Sequence, residues 1–594
     1  MASNFFNKAS LIMVPDAPID GKLPSVKPED RSGDFTFSRG SNLAATRVNK
    51  GGLIEKGREN LLLQSNQFDT TWGLEATTLT SGQTGYDGSS DAWKVIPITD
   101  NSTHYVYKTT PYQTGVSTFS VYAKYSGYHA QLRVFNIGGG KAYANFDLQN
   151  GTKGTSGGTD IIDSTITSVG NGWYRITLSL NYTIALYSAG VIPIESPTDG
   201  EIPSYAGDGT SGVLIQDFQH EVGLVATGYI ETTTAAVQKG ILENLPRIDY
   251  SGGASCPSLL LEPQRTNRIL FSEWLGAWDS FSTFLTYKDG ISPSGYKDAT
   301  KLYIPADNAN VYIRTQFSNV ANQTHIGSIF LKKVDGDEVR LRLSGGAPNI
   351  EASAIFNLSN GTYRDAVGSV TPSIENYGNG WYRCSVGDLG GATVATPSFR
   401  IDALGTGYAP TVYVWGAQVE LGSYPTSYIP AYGSSVTRST DSCQIASGIS
   451  DLLPQGTGTM YVEVTMDDAV DTEGYLMRIE QASFANSIFI ARSTAGNLFA
   501  SYRNNNSTIF SFQKNNVADT FKAAFAFESG NSVLYVNGEK IGASSVTYTP
   551  AVTYDDLRVG GFTANTANMS GVVSQAMVFK TRLTDDECIA LTTI

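Results

Sequence analysis

Apolar and polar residues alternate in short stretches along most of the chain. Phe119, Val121 and Ala123 form one such set, Leu132 and Val134 another, and Ile176, Leu178 and Leu180 a third. A period of two puts each set on one face of a strand. Turn signals at Gly138-Gly-Gly140 and Asn150-Gly151 separate the runs. Strands recur about every ten residues with no helical period between them, which predicts an all-β chain of antiparallel sandwiches of jelly-roll type. Further strands are expected at Gly458–Thr465, at Val533–Gly538 with an Asn-Gly hairpin turn, and at Leu557–Gly561. Thr584-Asp-Asp-Glu587, ahead of Ile589 and Leu591, reads as a capping box opening a short helix.

The pattern also repeats. Gly170-Asn-Gly-Trp-Tyr-Arg175 recurs as Gly378-Asn-Gly-Trp-Tyr-Arg383. Its flanks recur with it: Arg58, Asn60, Leu63 and Ser65 match Arg265, Asn267, Leu270 and Ser272, 207 residues on. Ser120–Lys124 matches Ser328–Lys332, and Phe146–Thr152 matches Phe356–Thr362. The closing Gln219-His-Glu-Val-Gly223 and Tyr229-Ile230 match Gln418-Val-Glu-Leu-Gly422 and Tyr428-Ile429. This is a duplicated unit. The chain therefore divides into an extended N-terminal segment (1–57), a first jelly roll (58–240), a connector (241–264), a second jelly roll (265–445) and an unduplicated domain (446–594). Pro15, Pro18, Pro24 and Pro28 oppose helix in the first segment. It reads either as a leader packing on the first domain or as an attachment arm to a larger assembly.

Counting faces in the repeated hexapeptide assigns Tyr174, Ile176, Leu178 and Leu180 to the core, and likewise Tyr382, Cys384 and Val386. Trp173 with Arg175, and Trp381 with Arg383, then point the other way. They could stack as a cation–π pair covering the sheet or form a ligand platform. The structural role is favoured, because both copies keep the motif whereas Trp93 and Trp415 have no counterpart.

Composition narrows the function. Charged residues make up 16% of the chain, against about 25% in typical soluble domains. The net charge is −14 and the 41 basic residues form no run, which argues against nucleic acid as a partner. Four cysteines and four histidines lack zinc-ligand spacing, and the thiols are expected reduced and buried. No apolar run approaches the roughly 20 residues of a membrane helix, so no membrane insertion is expected. The first fifteen residues lack an export leader. The expectation is synthesis in the producer's cytosol, despite a composition like that of extracellular binding proteins.

Three resemblances follow from these strings. Leu534-Tyr-Val-Asn-Gly538, Leu557-Arg-Val-Gly-Gly561 and Val578-Phe-Lys-Thr-Arg-Leu-Thr-Asp-Asp-Glu587 resemble a concanavalin A-like, laminin-G-type lectin domain. The two repeats, with their Gly-Trp-Tyr-Arg and Gln-x-Glu-x-Gly strands, resemble carbohydrate-binding-module jelly rolls. Phe35-Thr-Phe-Ser-Arg-Gly-Ser41, Ala44-Ala-Thr-Arg-Val48, Arg247-Ile-Asp-Tyr250 and Leu259-Leu-Leu-Glu-Pro-Gln-Arg-Thr-Asn267 are similar to strings in structural proteins of tailed bacteriophages. That last resemblance implies a virion fibre, spike or decoration protein, made in host cytoplasm and exposed on the particle surface. It further implies a homotrimer that contacts other virion proteins and binds host-surface glycan. A purely architectural head-fibre or tail component is the alternative, and a polysaccharide depolymerase the third reading.

A glycan site needs an aromatic face and a few placed polar groups. The candidates are Trp72, Trp93, Trp278, Trp415 and Tyr424, drawn from a set that includes Trp274 and Tyr428. Core packing is the commoner fate of such residues. Asp87 to Asp91, Asp335-Gly-Asp-Glu338 and Asp467-Asp468 with Asp471 and Glu473 could hold calcium, but their spacing is not that of an EF-hand loop. Solvated loops are the better reading, and no cofactor is expected. Gly154-Thr-Ser-Gly-Gly158 matches a nucleophile elbow only formally, since no strand-to-helix context surrounds it. No carboxylate pair is singled out for glycoside cleavage, and the chain is expected not to be an enzyme.

Overall fold

The computed structural model describes residues 2–594 except 41–42, 112–113, 137–140, 183–185, 307–310, 346–350, 390–396, 406, 467–473, 482 and 562–568. The expected turn at Gly138–Gly140 lies outside the described residues.

The fold is nearly all-β, as the alternation predicts. The first jelly roll pairs two six-stranded antiparallel sheets. One carries Ile161–Gly170, Trp173–Tyr182, Gly115–Ser126, Gly212–Val222, Ala92–Pro97 and Thr77–Gln83 in that spatial order. The other carries Thr152–Gly158, Lys141–Asp147, His129–Asn136, Leu186–Ile194, Tyr105–Thr109 and Gly73–Glu75. The second jelly roll has the same two sheets in the same order. Its first sheet runs Val370–Gly378, Trp381–Leu389, Thr324–Asp335, Thr411–Leu421, Ala299–Tyr303 and Phe284–Gly290. Its second runs Thr362–Val367, Glu351–Asn357, Glu338–Ser344, Ser398–Asp402, Tyr312–Gln316 and Asp279–Phe281.

The motifs shared by the copies close these sandwiches. Asn60 Nδ2 donates to the Ile230 carbonyl and Asn267 Nδ2 to the Ile429 carbonyl, both at 2.8 Å. Gln219 and Gln418 accept from the amides of the same two isoleucines at 2.7 and 2.6 Å. Glu221 and Glu420 accept from the Thr227 and Thr426 amides at 2.8 and 2.9 Å. Each bond satisfies a buried backbone group that the sheets leave unpaired.

The hexapeptides are hairpin turns. Asn171 and Gly172 have φ of 53° and 76°, and Asn379 and Gly380 have 51° and 79°. Two consecutive positive φ values make the type I′ turn that suits the strand twist. Ile176, Leu178 and Leu180 reach the core with Tyr174 packed against it. Trp173 and Trp381 do lie on the opposite face, yet they are buried at 1% and 2% exposure. Their neighbouring arginines do not stack on them. Arg175 lies 5.4 Å from the Tyr122 ring and Arg383 5.4 Å from Phe330, because an arginine two residues along a strand reaches across to the adjacent strand.

The C-terminal sandwich draws on the whole chain. Its nine-stranded sheet contains Gly458–Met466, Thr520–Phe527, Ser532–Val536, Glu539–Ser544 and Gly571–Phe579, together with Leu11–Met13, Ser25–Lys27, Arg247–Asp249 and Ser258–Leu261. Its eight-stranded sheet takes in Lys22–Leu23, Phe35–Ser38 and Ser442–Ile445. The N-terminal segment therefore contributes strands between Leu11 and Ser38 to the C-terminal sandwich rather than packing them on the first domain. Leu11, Met13, Leu23, Phe35 and Phe37 are buried in one core with Met460, Leu476 and Phe525. Likewise 241–264 is more than a connector, since Leu259–Leu261 pairs with Gly571–Val573. The Asn537-Gly538 turn and the Thr584–Glu587 capping box form as expected. A second helix, Ala2–Lys8, was not foreseen, and Lys8 pairs with Glu587.

A buried ionic cluster joins the segments. Arg247 bonds Glu262 and Asp441, Arg438 lies 3.0 Å from Glu262, and Arg39 lies 3.3 Å from Asp441. Burial would raise the Glu262 carboxyl, but Arg438 and Arg247 hold it well below the usual carboxylate range. Burial brings the Arg39 guanidinium down to about 10, against the pull of Asp441.

Candidate functional site

Four of the five aromatic residues singled out in the sequence are buried. Trp72 is 8% exposed, lies 4.7 Å from the Phe68 ring and donates from Nε1 to the Gln64 carbonyl at 3.0 Å. Half-buried Trp93 donates to the Asn66 carbonyl, and buried Trp278 to the Phe271 carbonyl. Trp415 is wholly buried against Phe330 and Tyr428. Tyr424 is buried beneath the Arg265 guanidinium, 5.4 Å from its ring. Trp72, Trp278, Trp415 and Tyr424 are thus withdrawn from solvent, and Trp93 keeps part of its surface exposed. Among the four cysteines Cys256 is exposed, against expectation, because it lies in a Gly/Ser-rich turn whose residues 251–256 all face solvent.

Each jelly roll has two outward sheet faces, and one of them is closed. On the first, Tyr86 stacks on Tyr122 at 3.6 Å and shields Trp173. On the second, Ile54 from the N-terminal segment covers Phe330, Trp381, Trp415 and Tyr428.

The opposite faces carry rows of a different kind. In the first jelly roll a single register line crosses all six strands: Gly73, Tyr107, Gly190, Arg133, Tyr143 and Gly157. Their neighbours Val106, Val191, Leu132, Val134, Ala142 and Ala144 are core residues, so the row points outward. The glycines make room for the rings. A Cβ on Gly73 would sit 2.3 Å from the Tyr107 ring, and one on Gly157 would sit 2.9 Å from the Tyr143 ring. Between the rings Gly190 and Arg133 form a floor, and three strand spacings separate Tyr107 from Tyr143 by about 14 Å.

Arg133 is held in place. It donates from Nε and Nη2 to Glu201 Oε1 at 2.9 and 2.7 Å, and Lys141 lies 3.3 Å from the other carboxylate oxygen. The segment carrying Glu201 is pinned to the same face. Gln131 donates to the Gly200 carbonyl at 2.9 Å, and Asn145 to the Asp199 carbonyl at 2.7 Å. Tyr105 lies 5.5 Å from Tyr107, and burial pushes its hydroxyl up in pKa. Two rings, a fixed guanidinium and a carboxylate are the groups that a sugar's C–H face and hydroxyls require.

In the second jelly roll the same line reads Asp279, Arg314, Arg400, Arg342, Ser353 and Val367. The adjacent line reads Phe281, Tyr312, Asp402, Arg340, Ile355 and Arg364. Arg400 lies 4.2 Å from the Tyr312 ring. Burial pushes the Asp402 carboxyl up, opposed by Arg400, Arg342 and Arg340. Leu132-Arg-Val134 matching Leu341-Arg-Leu343 was the sequence signal for this face: an arginine kept in both copies between core residues.

The carboxylate groups serve other ends. Asp87 accepts from Ser89, and Asp91 accepts from Gln216 at 2.7 Å. Asp337 pairs with Lys333, and Glu338 lies 2.9 Å from Arg364. Asp467, Asp468, Asp471 and Glu473 lie outside the described residues. Among the described residues no group of three or more His, Cys, Asp or Glu side chains is placed to hold a metal. A cavity of about 670 Å³ lies where the two jelly rolls meet the N-terminal segment, with Lys56, Arg58, Glu221 and Tyr432 in its wall.

Residues 437–588 match the family described as the Concanavalin A-like lectin/glucanases superfamily. No curated protein matches the chain. Among solved structures it is similar to the CBM40 of Ruminococcus gnavus IT-sialidase bound to α2,3-sialyllactose, at 17% identity and a TM-score of 0.22, covering 26% of this chain and 96% of that one. The CBM22-1–CBM22-2 tandem of Paenibacillus barcinonensis Xyn10C is similar at 10% identity and 0.21, covering 65% and 100%. Mouse laminin α1 domains LG4-5 are similar at 11% and 0.17, covering 52% and 92%. The chain thus ends in a concanavalin A-like domain.

Proposed function

We propose that this chain is a non-enzymatic glycan-binding protein of a tailed-bacteriophage virion, a fibre, spike or decoration protein. The observation that carries the binding is the outward row Tyr107, Gly190, Arg133 and Tyr143. Nothing in the sandwich core calls for two rings flanking a fixed guanidinium on a solvent-facing sheet. The virion assignment rests on the strings at 35–48 and 247–267. A homotrimer multiplies weak sugar sites on one particle into avidity, and other virion proteins hold the chain in the particle. A glycan array probed with the full chain, alongside electron microscopy of the particle, tests both halves. Array binding that falls in a Tyr107→Ala/Tyr143→Ala variant is expected.

The purely architectural reading is favoured by one observation, the burial of Trp72, Trp278, Trp415 and Tyr424. A wild-type chain that binds no glycan would establish it.

A further inference from the structure

Building on the glycan-binding reading, we propose that the two jelly rolls take chemically different sugars, and that the second binds a carboxylated saccharide on its row Arg314, Arg400 and Arg342. These arginines sit directly opposite one another on three adjacent strands. Their Cα atoms are about 5 Å apart, where like charges repel. The fold does not require this. At the corresponding positions the first jelly roll carries Tyr107, Gly190 and Arg133 in an equivalent sheet.

Protein carboxylates occupy the rim and the neighbouring row rather than the centre. Arg314 pairs with Asp279 at 3.1 Å, Arg342 with Glu351 at 2.8 Å, and Arg400 with Asp402. Arg342 also lies 3.9 Å from Asp402, and Arg364 in the adjacent row pairs with Glu338 and Asp365. Each guanidinium has five N–H donors, so one carboxylate partner, or two at Arg342, leaves donors to spare. Arg314 and Arg342 keep 30% and 34% of their side-chain surface exposed. On one side lie Tyr312 and Phe281, 4.5 Å apart, with Phe281 exposed. A planar carboxylate matches the guanidinium fork, and the attached ring has an aromatic surface beside it.

The experiment measures binding of the full chain to oligogalacturonate, to its methyl ester and to a neutral array hit. It compares wild type, Arg400→Gly and Tyr107→Ala/Tyr143→Ala. Glycine already stands at the matching position of the first copy, so Arg400→Gly is expected to fold, which circular dichroism checks. The expected result is oligogalacturonate binding that weakens about tenfold in Arg400→Gly, falls with salt, and is unchanged in the double Tyr variant. The methyl ester should not bind. Equal binding of acid and ester, or of wild type and Arg400→Gly, would overturn the inference. Tyr-dependent neutral binding without acid binding would overturn it while leaving the proposed function standing, and binding of neither sugar would overturn both.

Discussion

Arg247 donates to Glu262 at 2.6 Å with both side chains withdrawn from solvent, and through Asp441 and Arg438 this pair ties the lead into the second jelly roll to its exit. A buried pair of this kind is not itself a large source of stability, because desolvation offsets the attraction. Removing one partner leaves a buried charge alone.

Glu262→Gln should therefore destabilise the C-terminal sandwich by about 3–5 kcal/mol, read by denaturant unfolding followed through near-ultraviolet dichroism. The folded carboxyl is held below its unfolded value. Its contribution is present above an unfolded pKa of about 4.3 and is lost as pH falls below it. The variant should lose that acid-dependent component.

Asp217 behaves oppositely. Burial, with Asp91 and Asp87 nearby, pushes its carboxyl up to about 7, although Tyr86 donates to it at 2.9 Å. The folded state then holds a proton that the unfolded state releases near pH 4, so this contribution falls as pH rises from about 4 to about 7. Asp217→Asn should flatten that slope in thermal melts of the first jelly roll between those pH values.

Trp381→Ala should cost about 3–5 kcal/mol by opening a cavity among Ile54, Phe330 and Trp415, while glycan binding at the outward rows stays unchanged. Calorimetric melting read beside the binding assay checks both. Loss of binding with intact stability would reinstate the tryptophan as a platform.

Gly172→Ala should destabilise the first jelly roll by about 1–2 kcal/mol. Its φ is 76° and the nearest atom to an added Cβ is 3.5 Å away, so backbone conformation rather than crowding sets the cost. Equilibrium unfolding measures it, and a neutral result would contradict the type I′ assignment.

The strands and the duplication were legible because alternation and Asn-Gly turns are local signals. Phe119 and Val121 advertise their face through their own neighbours. The docking of Leu11, Phe35 and Leu259 into the C-terminal core was not legible, since pairing partners hundreds of residues away leave no trace in a short window. Parity placed Trp173 correctly on the far side of its sheet, but only the fold shows that Tyr86 covers that side. The site was missed for a related reason. Tryptophan is rare and draws the eye, while Tyr107, Gly190, Arg133 and Tyr143 become a row only once four strands are set in register.

The central claim is tested most directly by binding of the array's neutral glycan to the full chain and to Tyr107→Ala/Tyr143→Ala, by isothermal titration calorimetry. The account predicts measurable binding to the wild type and at least tenfold weakening in the variant, as losing two stacked rings implies, with the fold unchanged. Equal affinity of the two proteins would contradict it.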